Sequence, residues 1–278
     1  FAANLPESVG GGGLDYQSLV LIEREFGKTS HALHSWIARP AEILMACEGD
    51  QVEKYLIPCA RAEKRELFAL TEPEAGSDIM SMKTNARRDG EDWILNGSKH
   101  FISGPVMPDF AIVFAVTGMD ETERGRRKRV TAFLVDVGTD GFDISEGTRS
   151  VSYRGYLTFQ LGFSDVRLGP GQILGEEGRG LELSGKWLSM NRVWVGASCC
   201  GKAERLFNLA AEWAAQFATS AEAGKNRYVI DMGGGKAYLY IDKNKQDNDL
   251  GAYTKDEIKK MLKNNEAEMK EEDEQILN

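Results

Sequence analysis

The spacing of apolar residues changes near residue 67, which separates a helical start from a strand-rich middle. Between Tyr16 and Phe26, apolar residues recur at helical spacing and predict one helix. A second helix is predicted over Ser30 to Cys47, interrupted near Pro40. The capping-box pattern that begins at Asp50 predicts a third helix. The chain up to about residue 66 is therefore expected to be helical.

From Leu67 the apolar residues alternate with a period of two. Strands are predicted at 67–71, 82–86, 93–95, 100–102, 110–115, 130–135 and 156–161. Asn96-Gly97 is interpreted as a tight hairpin turn between two of them. Short strands with close turns are typical of an antiparallel barrel or sandwich. A long helix is predicted from Leu181 to about Phe217, followed by two short strands at 228–231 and 236–242 and a charged helix from Thr254.

Composition narrows the class of protein. Of the 278 residues, 42% are apolar and 28% are charged, which is ordinary for a globular protein, and the formal net charge is -9. An acidic chain of this kind argues against nucleic acid as a partner, and the basic run Arg124 to Arg129 is predicted to be a solvated loop. No apolar stretch approaches the roughly 20 residues that span a bilayer, and no metal site is expected from the cysteines and histidines. A cytoplasmic or mitochondrial-matrix location is predicted.

One stretch concentrates groups that bind ligands. The apolar run from Leu67 stops at Thr71-Glu72-Pro73-Glu74-Ala75-Gly76-Ser77-Asp78. Pro73 lacks an N–H and ends strand pairing, and Gly76 can take the positive φ that lets the backbone reverse. With the hydroxyls of Thr71 and Ser77, such a turn suits an anion or the polar edge of a cofactor. A plain polar turn between strands is the alternative interpretation.

The run from Thr71 to Asp78 resembles the flavin loop of the acyl-CoA dehydrogenases, and further segments resemble this family in the same order. They are the glycine-rich start from Pro6, the strand segment Trp93–Ser103, Gly162–Leu168, Ile173–Gly180 and Met190-Asn191-Arg192. The resemblance covers about residues 5–216. Two residues depart from the family pattern: Phe101 stands where many members have Trp, and Ser103 stands where they have Thr.

The resemblance implies an α+β fold of acyl-CoA dehydrogenase type. It comprises part of an N-terminal helical domain (1–66), a middle antiparallel β-barrel domain that binds FAD and acyl-CoA (67–177), the first helix of a C-terminal bundle (178–218) and an unrelated tail (219–278). The first helices of the N-terminal domain and most of the bundle have no counterpart in this sequence. The chain is therefore predicted to be incomplete, through truncation, frameshift or fusion.

The same resemblance assigns roles to individual residues. Phe68, Leu70 and Thr71 are expected to line the flavin of FAD. Gly76 and Ser77 are expected near its pyrophosphate or near the thioester arm of the substrate. Phe101 would pack on the flavin ring, and the Ser103 hydroxyl would donate near its N5 atom. Arg192 would lie toward the CoA nucleotide or the far side of the cleft, with an ion pair across a helix interface as the alternative.

The implied reaction is α,β-dehydrogenation of an acyl-CoA thioester, with FAD as cofactor. Electron-transfer flavoprotein or another acceptor is the implied partner, and a homo-oligomer of the family's tetrameric type is expected. Asn191 occupies one of the two family positions for the catalytic base, and its amide cannot take the proton. The chain is therefore predicted to be weakly active or inactive, with Glu72 and Asp78 fixing the turn. A flavin-dependent monooxygenase and a non-catalytic binding or assembly protein on the same scaffold remain as alternatives.

Overall fold

The computed structural model describes residues 1–29, 40–104, 106–122, 125–151, 157–220, 227–231 and 236–240. The chain forms two compact units, Phe1–Arg205 and Leu206–Asn278. The predicted α+β fold is confirmed, with helices before and after a strand-rich middle. Among the described residues, no helix is long and apolar enough to cross a membrane.

The N-terminal segment is helical where the structure describes it. Helix α1 (Tyr16–Gly27) begins at Asp15, whose carboxylate accepts the backbone N–H of Ser18 at 2.7 Å. Of the predicted second helix, residues 30–39 lie outside the described residues, and Glu42–Ala46 form a short 3₁₀ helix. The third helix is present as a π-helical turn (Val52–Leu56) that continues into α2 (Ile57–Ala60). The predicted capping box at Asp50 is replaced by a bond from the Glu48 N–H to Gln51 Oε1 at 3.3 Å.

The middle segment is one seven-stranded sheet. Its strands are β1 (Glu66–Ala69), β2 (Asn85–Asp89), β3 (Asp92–Gly104), β4 (Phe110–Thr122), β5 (Gly125–Asp136), β6 (Phe142–Glu146) and β7 (Leu157–Leu168). The strand order is β1-β4-β2-β3-β7-β6, and β5 pairs with the other edge of β4. Most pairs are antiparallel, but β1 and β2 each run parallel to β4. The alternation missed β6 altogether.

The predicted hairpin at Asn96-Gly97 is wrong. These residues lie inside β3, where the register with β7 shifts between Leu95 and Gly97. Gly97 has φ +139°, and a Cβ there would lie 2.6 Å from the Cα of Thr84, so a close approach of two backbones explains this glycine. The Asn96 side chain instead pairs with Asp165 of β7. The hairpin between β2 and β3 turns at Gly90-Glu91.

The basic run is also placed differently from the prediction. Arg126 to Arg129 belong to β5 and pair with the end of β4 rather than forming a loop, while Arg124 lies outside the described residues. Arg126 contacts Glu121, and Arg129 contacts Asp120 at 3.7 Å. Cross-strand acids therefore balance part of this positive charge.

The sheet is buried on both faces at β4, which explains its uninterrupted apolar run. Phe110, Ile112 and Phe114 point into one core, which also holds Leu70 and residues of the N-terminal helices. The alternate residues Ala111, Val113 and Ala115 point into the second core, on the other face of the sheet. The first core also receives the start of helix α3 (Gly180–Ser220), including Trp187. The start of α3 therefore packs on the same face of the sheet as the loop after β1.

In the second unit, strands β8 (Arg227–Asp231) and β9 (Lys236–Tyr240) pair antiparallel. Residues 232–235, with the glycine triplet, and the predicted charged helix from Thr254 lie outside the described residues.

Candidate functional site

The loop after β1 is closed by its own backbone. The Glu72 N–H donates to the Ala75 carbonyl at 3.0 Å, and the Ala75 N–H donates to the Glu72 carbonyl at 3.2 Å. Pro73, which has no N–H and so needs no hydrogen-bond acceptor, sits at the exposed turn between them. Gly76 does not adopt a positive φ, so the expectation that it reverses the chain in this way is wrong. Gly76 and Ser77 are exposed, and a Cβ at Gly76 would have no neighbour within 4 Å.

A buried ion pair lies beneath this loop. Lys99 is 1% exposed, and its ammonium donates to Glu72 Oε1 at 2.8 Å and to the Leu70 carbonyl at 3.0 Å. Glu72 also accepts the backbone N–H groups of Lys83 at 2.6 Å and Thr84 at 3.0 Å. Glu72 therefore fixes the turn, as the sequence predicted.

Burial and hydrogen bonding act in opposite directions on these two groups. Burial would raise the pKa of Glu72, but the hydrogen bonds from the Lys83 N–H, Lys99 and Thr84 outweigh it and lower that pKa below its ordinary value. Burial lowers the pKa of Lys99 to about 8, against the attraction of the Glu72 carboxylate. The hydrogen bonds therefore favour the charged carboxylate of Glu72, while Lys99 loses its proton closer to neutrality than an ordinary lysine does.

A bulge in β3 presents Phe101. Between Lys99 and Ile102 the strand contains one residue more than β7 opposite it, and Phe101 adopts φ 55°. Phe101 is 57% exposed, and its ring touches the His100 ring at a centroid distance of 4.0 Å. The His100 N–H donates to the Thr71 carbonyl at 2.9 Å, which joins the bulge to the loop.

The hydroxyls around this junction are available to a ligand. Among the described residues, the side chains of Thr71 and Ser77 make no hydrogen bond, and Ser103 Oγ lies 3.5 Å from the Phe101 carbonyl, at the limit for such a bond. An exposed flat ring, hydroxyl donors and the open backbone at Gly76 fit the ring and polar groups of a flavin cofactor. Asp78, by contrast, is used within the protein, because it accepts the Met80 N–H at 3.1 Å and the Ser81 hydroxyl.

Helix α3 approaches the same region through an aromatic contact. The rings of Phe68 and Trp187 lie 4.3 Å apart, and Phe68 also contacts Phe114 at 4.9 Å. Asn191 follows Trp187 by four residues, so both lie on one side of the helix. Arg192 is exposed and pairs with no acid among the residues that the structure describes, so the ion pair considered as its alternative role is not formed there.

The structure thus brings Thr71, Phe101 and Ser103 together, and it places Phe68 near α3. Leu70 is 8% exposed and belongs to the core, so its surface toward a ligand is small. The roles of these residues, and of Gly76, Ser77, Asn191 and Arg192, stay predictions. Sequence reasoning missed Lys99 and Trp187. The residues next to Lys99 gave no signal that it is buried, since Ser98 is exposed and His100 is half-buried.

Comparison with known proteins agrees with this geometry. Residues 67–166 match the family described as acyl-CoA dehydrogenase, middle domain. The 3-(aryl)acrylate reductase of Clostridium sporogenes is 34% identical over 78% of this chain and 58% of its own length. A subunit of the caffeyl-CoA reductase–Etf complex of Acetobacterium woodii is 32% identical over 77% of this chain and 57% of its own length.

The fold has solved counterparts. A glutaryl-CoA dehydrogenase from Mycobacterium smegmatis in complex with FADH2 matches with a TM-score of 0.67 and 28% identity, over 81% of this chain and 56% of its own. Residues 67–166 thus match the middle domain of the acyl-CoA dehydrogenases, and over its matched part the chain is similar in sequence and fold to proteins of that family. It spans somewhat more than half the length of these relatives.

Proposed function

We propose that this chain binds FAD and is an acyl-CoA dehydrogenase-like protein, which acts on the Cα–Cβ bond of an acyl-CoA thioester. The observation that carries this proposal is the 2.9 Å bond from the His100 N–H to the Thr71 carbonyl. It joins the loop to the bulge, so that Thr71, Phe101 and Ser103 border one open surface. A flavin needs such a combination of a flat apolar cover and hydroxyl donors.

Within this proposal, each residue has a separate task. The Phe101 ring covers one face of the flavin, and the hydroxyls of Thr71 and Ser103 donate to its polar edge. Ser77 and Arg192 contact the acyl-CoA arm and nucleotide. FAD supplies the redox chemistry when it is bound, while the protein supplies position and electrostatics.

The proton of the substrate Cα needs a base, and the residue at the matching helix position is Asn191. An amide does not accept a proton at neutral pH, so we propose that the chain by itself is weakly active or inactive. Loss of a positioned base typically lowers a rate by about 10²–10⁴-fold. Electron-transfer flavoprotein or another acceptor, a homo-oligomer and a cytoplasmic or matrix location belong to the same proposal.

FAD binding tests the proposal directly. The purified chain is titrated with FAD, and flavin absorbance and fluorescence report affinity. Thr71→Val and Ser103→Ala should each weaken binding or shift the flavin spectrum. Ser145→Ala, at an exposed serine of β6, is the matched control and should leave both unchanged. No FAD binding by the unmodified chain, or unchanged affinity and spectra in both variants, would overturn the assignment.

Activity measurements test the catalytic part of the proposal separately from FAD binding. With added FAD and acyl-CoA substrates of different chain lengths, the unmodified chain should reduce a dye slowly or not at all. Asn191→Glu should raise the rate, because it places a carboxylate at the family position of the base. Robust turnover by the unmodified chain would show that another group removes the proton.

A second candidate is the reverse reaction, reduction of an α,β-unsaturated acyl substrate. The similarity to two proteins named as reductases favours it. Oxidation of a reduced dye by crotonyl-CoA or cinnamoyl-CoA, measured against dye reduction by the saturated substrates, distinguishes the two directions.

A further inference from the structure

Lys99 and Glu72 form an ion pair inside the protein. The Lys99 side chain is 0% exposed, and that of Glu72 is 4% exposed. Burying both charges is costly, and a well-packed apolar pair is often at least as stable. Stability alone therefore does not explain why a charged pair occupies this position.

The pair joins three separate segments of the chain. Lys99 Nζ contacts the Leu70 carbonyl and the Glu72 carboxylate on the loop after β1. The same carboxylate accepts the N–H groups of Lys83 and Thr84, which precede β2. Thr84 Oγ1 donates back to the Ser98 carbonyl at 3.2 Å, beside Lys99 in β3. The contacts form a closed circuit, so no one segment can shift without breaking a buried bond.

The residues proposed to touch the flavin are next to these hydrogen-bonded residues, both on the loop after β1 and on β3. Thr71 lies between Leu70 and Glu72, the two residues to which Lys99 donates. On β3, Lys99 immediately precedes the bulge, in which His100 and Phe101 leave the register with β7. The His100 N–H is then satisfied by the Thr71 carbonyl at 2.9 Å. The hydrogen bond that fixes the bulge against the loop thus lies next to the ion pair.

We propose that Lys99, acting through Glu72 and the Leu70 carbonyl, is a positioning residue that holds Thr71 and Phe101 in the arrangement required for flavin binding. This inference rests on the proposed function in taking FAD as the ligand. The claim that Lys99 holds the loop against the bulge does not depend on that function. Lys99 itself touches neither the flavin nor the substrate.

The test must separate positioning from stability. Lys99→Met alone leaves the Glu72 charge buried without its cation, and loss of folding would obscure any effect on the site. The double variant Lys99→Met/Glu72→Gln removes both charges, so its unfolding midpoint should recover toward that of the unmodified chain. Lys83→Met is the matched control, since it removes an exposed lysine of the neighbouring segment.

Two readouts are measured on the 278-residue chain. Hydrogen exchange of the His100 amide should accelerate in the double variant, because its acceptor Thr71 is no longer held in place. FAD affinity should fall by about 10- to 100-fold, as when an outer residue that orients a metal ligand is lost, and the flavin spectrum should shift. Lys83→Met should change neither quantity. If the double variant does not fold, Lys99→Gln/Glu72→Gln, which also removes both charges but keeps polar groups at both positions, is measured with the same two readouts.

Failure of the inference is distinct from failure of the proposed function. A folded double variant with unchanged His100 exchange and FAD affinity within twofold of the unmodified chain would overturn the inference, since the pair would then be structural only. If the unmodified chain binds no FAD, the proposed function fails. In that case, His100 exchange alone decides whether Lys99 positions the loop and the bulge.

Discussion

Two glutamates stand two residues apart in the loop after β1, and each contacts a lysine, but their surroundings differ. The side chains of Glu72 and Lys99 are 4% and 0% exposed. Those of Glu74 and Lys83 are 68% and 70% exposed. The buried carboxylate also accepts two backbone N–H groups, whereas water competes for every donor and acceptor of the exposed pair.

The difference shows that the value of an ion pair depends on what its loss would leave behind. Removing one partner of an exposed pair leaves a charge that water solvates, so little changes. Removing one partner of a buried pair leaves an isolated charge in a medium that cannot solvate it. Of the two pairs, only Glu72–Lys99, the inner pair, holds backbone segments together, and the candidate site lies next to it. Glu74–Lys83 is the outer pair.

The largest effect is expected from Lys99→Met. The variant leaves the Glu72 carboxylate and the Leu70 carbonyl without their shared donor, which should lower the free energy of unfolding by about 3–5 kcal/mol. Urea unfolding at neutral pH measures this change. A loss below about 1 kcal/mol, the range of an exposed pair, would contradict the distinction drawn between the two pairs.

Glu72→Gln should have a smaller effect at neutral pH and a different dependence on pH. The amide oxygen of the variant still accepts hydrogen bonds, and the Lys99 ammonium left without its anion can lose its proton, because burial already lowers its pKa to about 8. Because folding lowers the pKa of Glu72, its stabilising contribution is complete above the unfolded pKa and disappears as the pH falls through the folded pKa.

Urea midpoints from pH 7 down to acid measure this dependence. The difference between the unmodified chain and Glu72→Gln should shrink as the pH falls below the ordinary range of a glutamate. A constant difference at every pH would mean that the carboxylate charge has no role in the folded state.

Gly97→Ala asks whether packing around the inner pair contributes as much as its charge. An alanine Cβ would lie 2.6 Å from both Cα and Oγ1 of Thr84, which donates its N–H to Glu72. The clash should cost about 1–3 kcal/mol, typical of overpacking. Gly90→Ala is the matched control: φ is +67° and a Cβ has no neighbour within 4 Å, so it reports backbone strain alone. Equal losses in the two variants would show that the contact with Thr84 contributes nothing.

Much of the fold was predictable because period and burial are local properties. The change to alternating residues at Leu67 located the sheet, and the uninterrupted apolar run from Phe110 to Ala115 matched a strand with a core on each face. The Asn96-Gly97 hairpin failed for the opposite reason. The pair has the local pattern of a turn, but Gly97 is required by Thr84, a residue distant in sequence.

The candidate site was predictable only in its motif residues. The Thr71–Asp78 run and the Phe101–Ser103 segment carry recognisable residue types, and the structure places them side by side. The link between them was not predictable. The bulge after Lys99 changes which residues face inward, so alternation did not reveal that this lysine is buried against Glu72. A non-local ion pair of this kind leaves no pattern in the sequence around either residue.

The smallest effect is expected from Lys83→Met, which completes the comparison from the outside of the loop. The Glu74 carboxylate raises the pKa of Lys83 through their hydrogen bond, but both side chains are open to water. After the substitution, Glu74 is solvated without rearrangement, and the Lys83 backbone N–H still donates to Glu72. Urea midpoints should therefore match those of the unmodified chain at low and at high ionic strength. A loss that approaches that of Lys99→Met would mean that the outer pair also holds the loop, and exposure would then not explain the difference between the two glutamates.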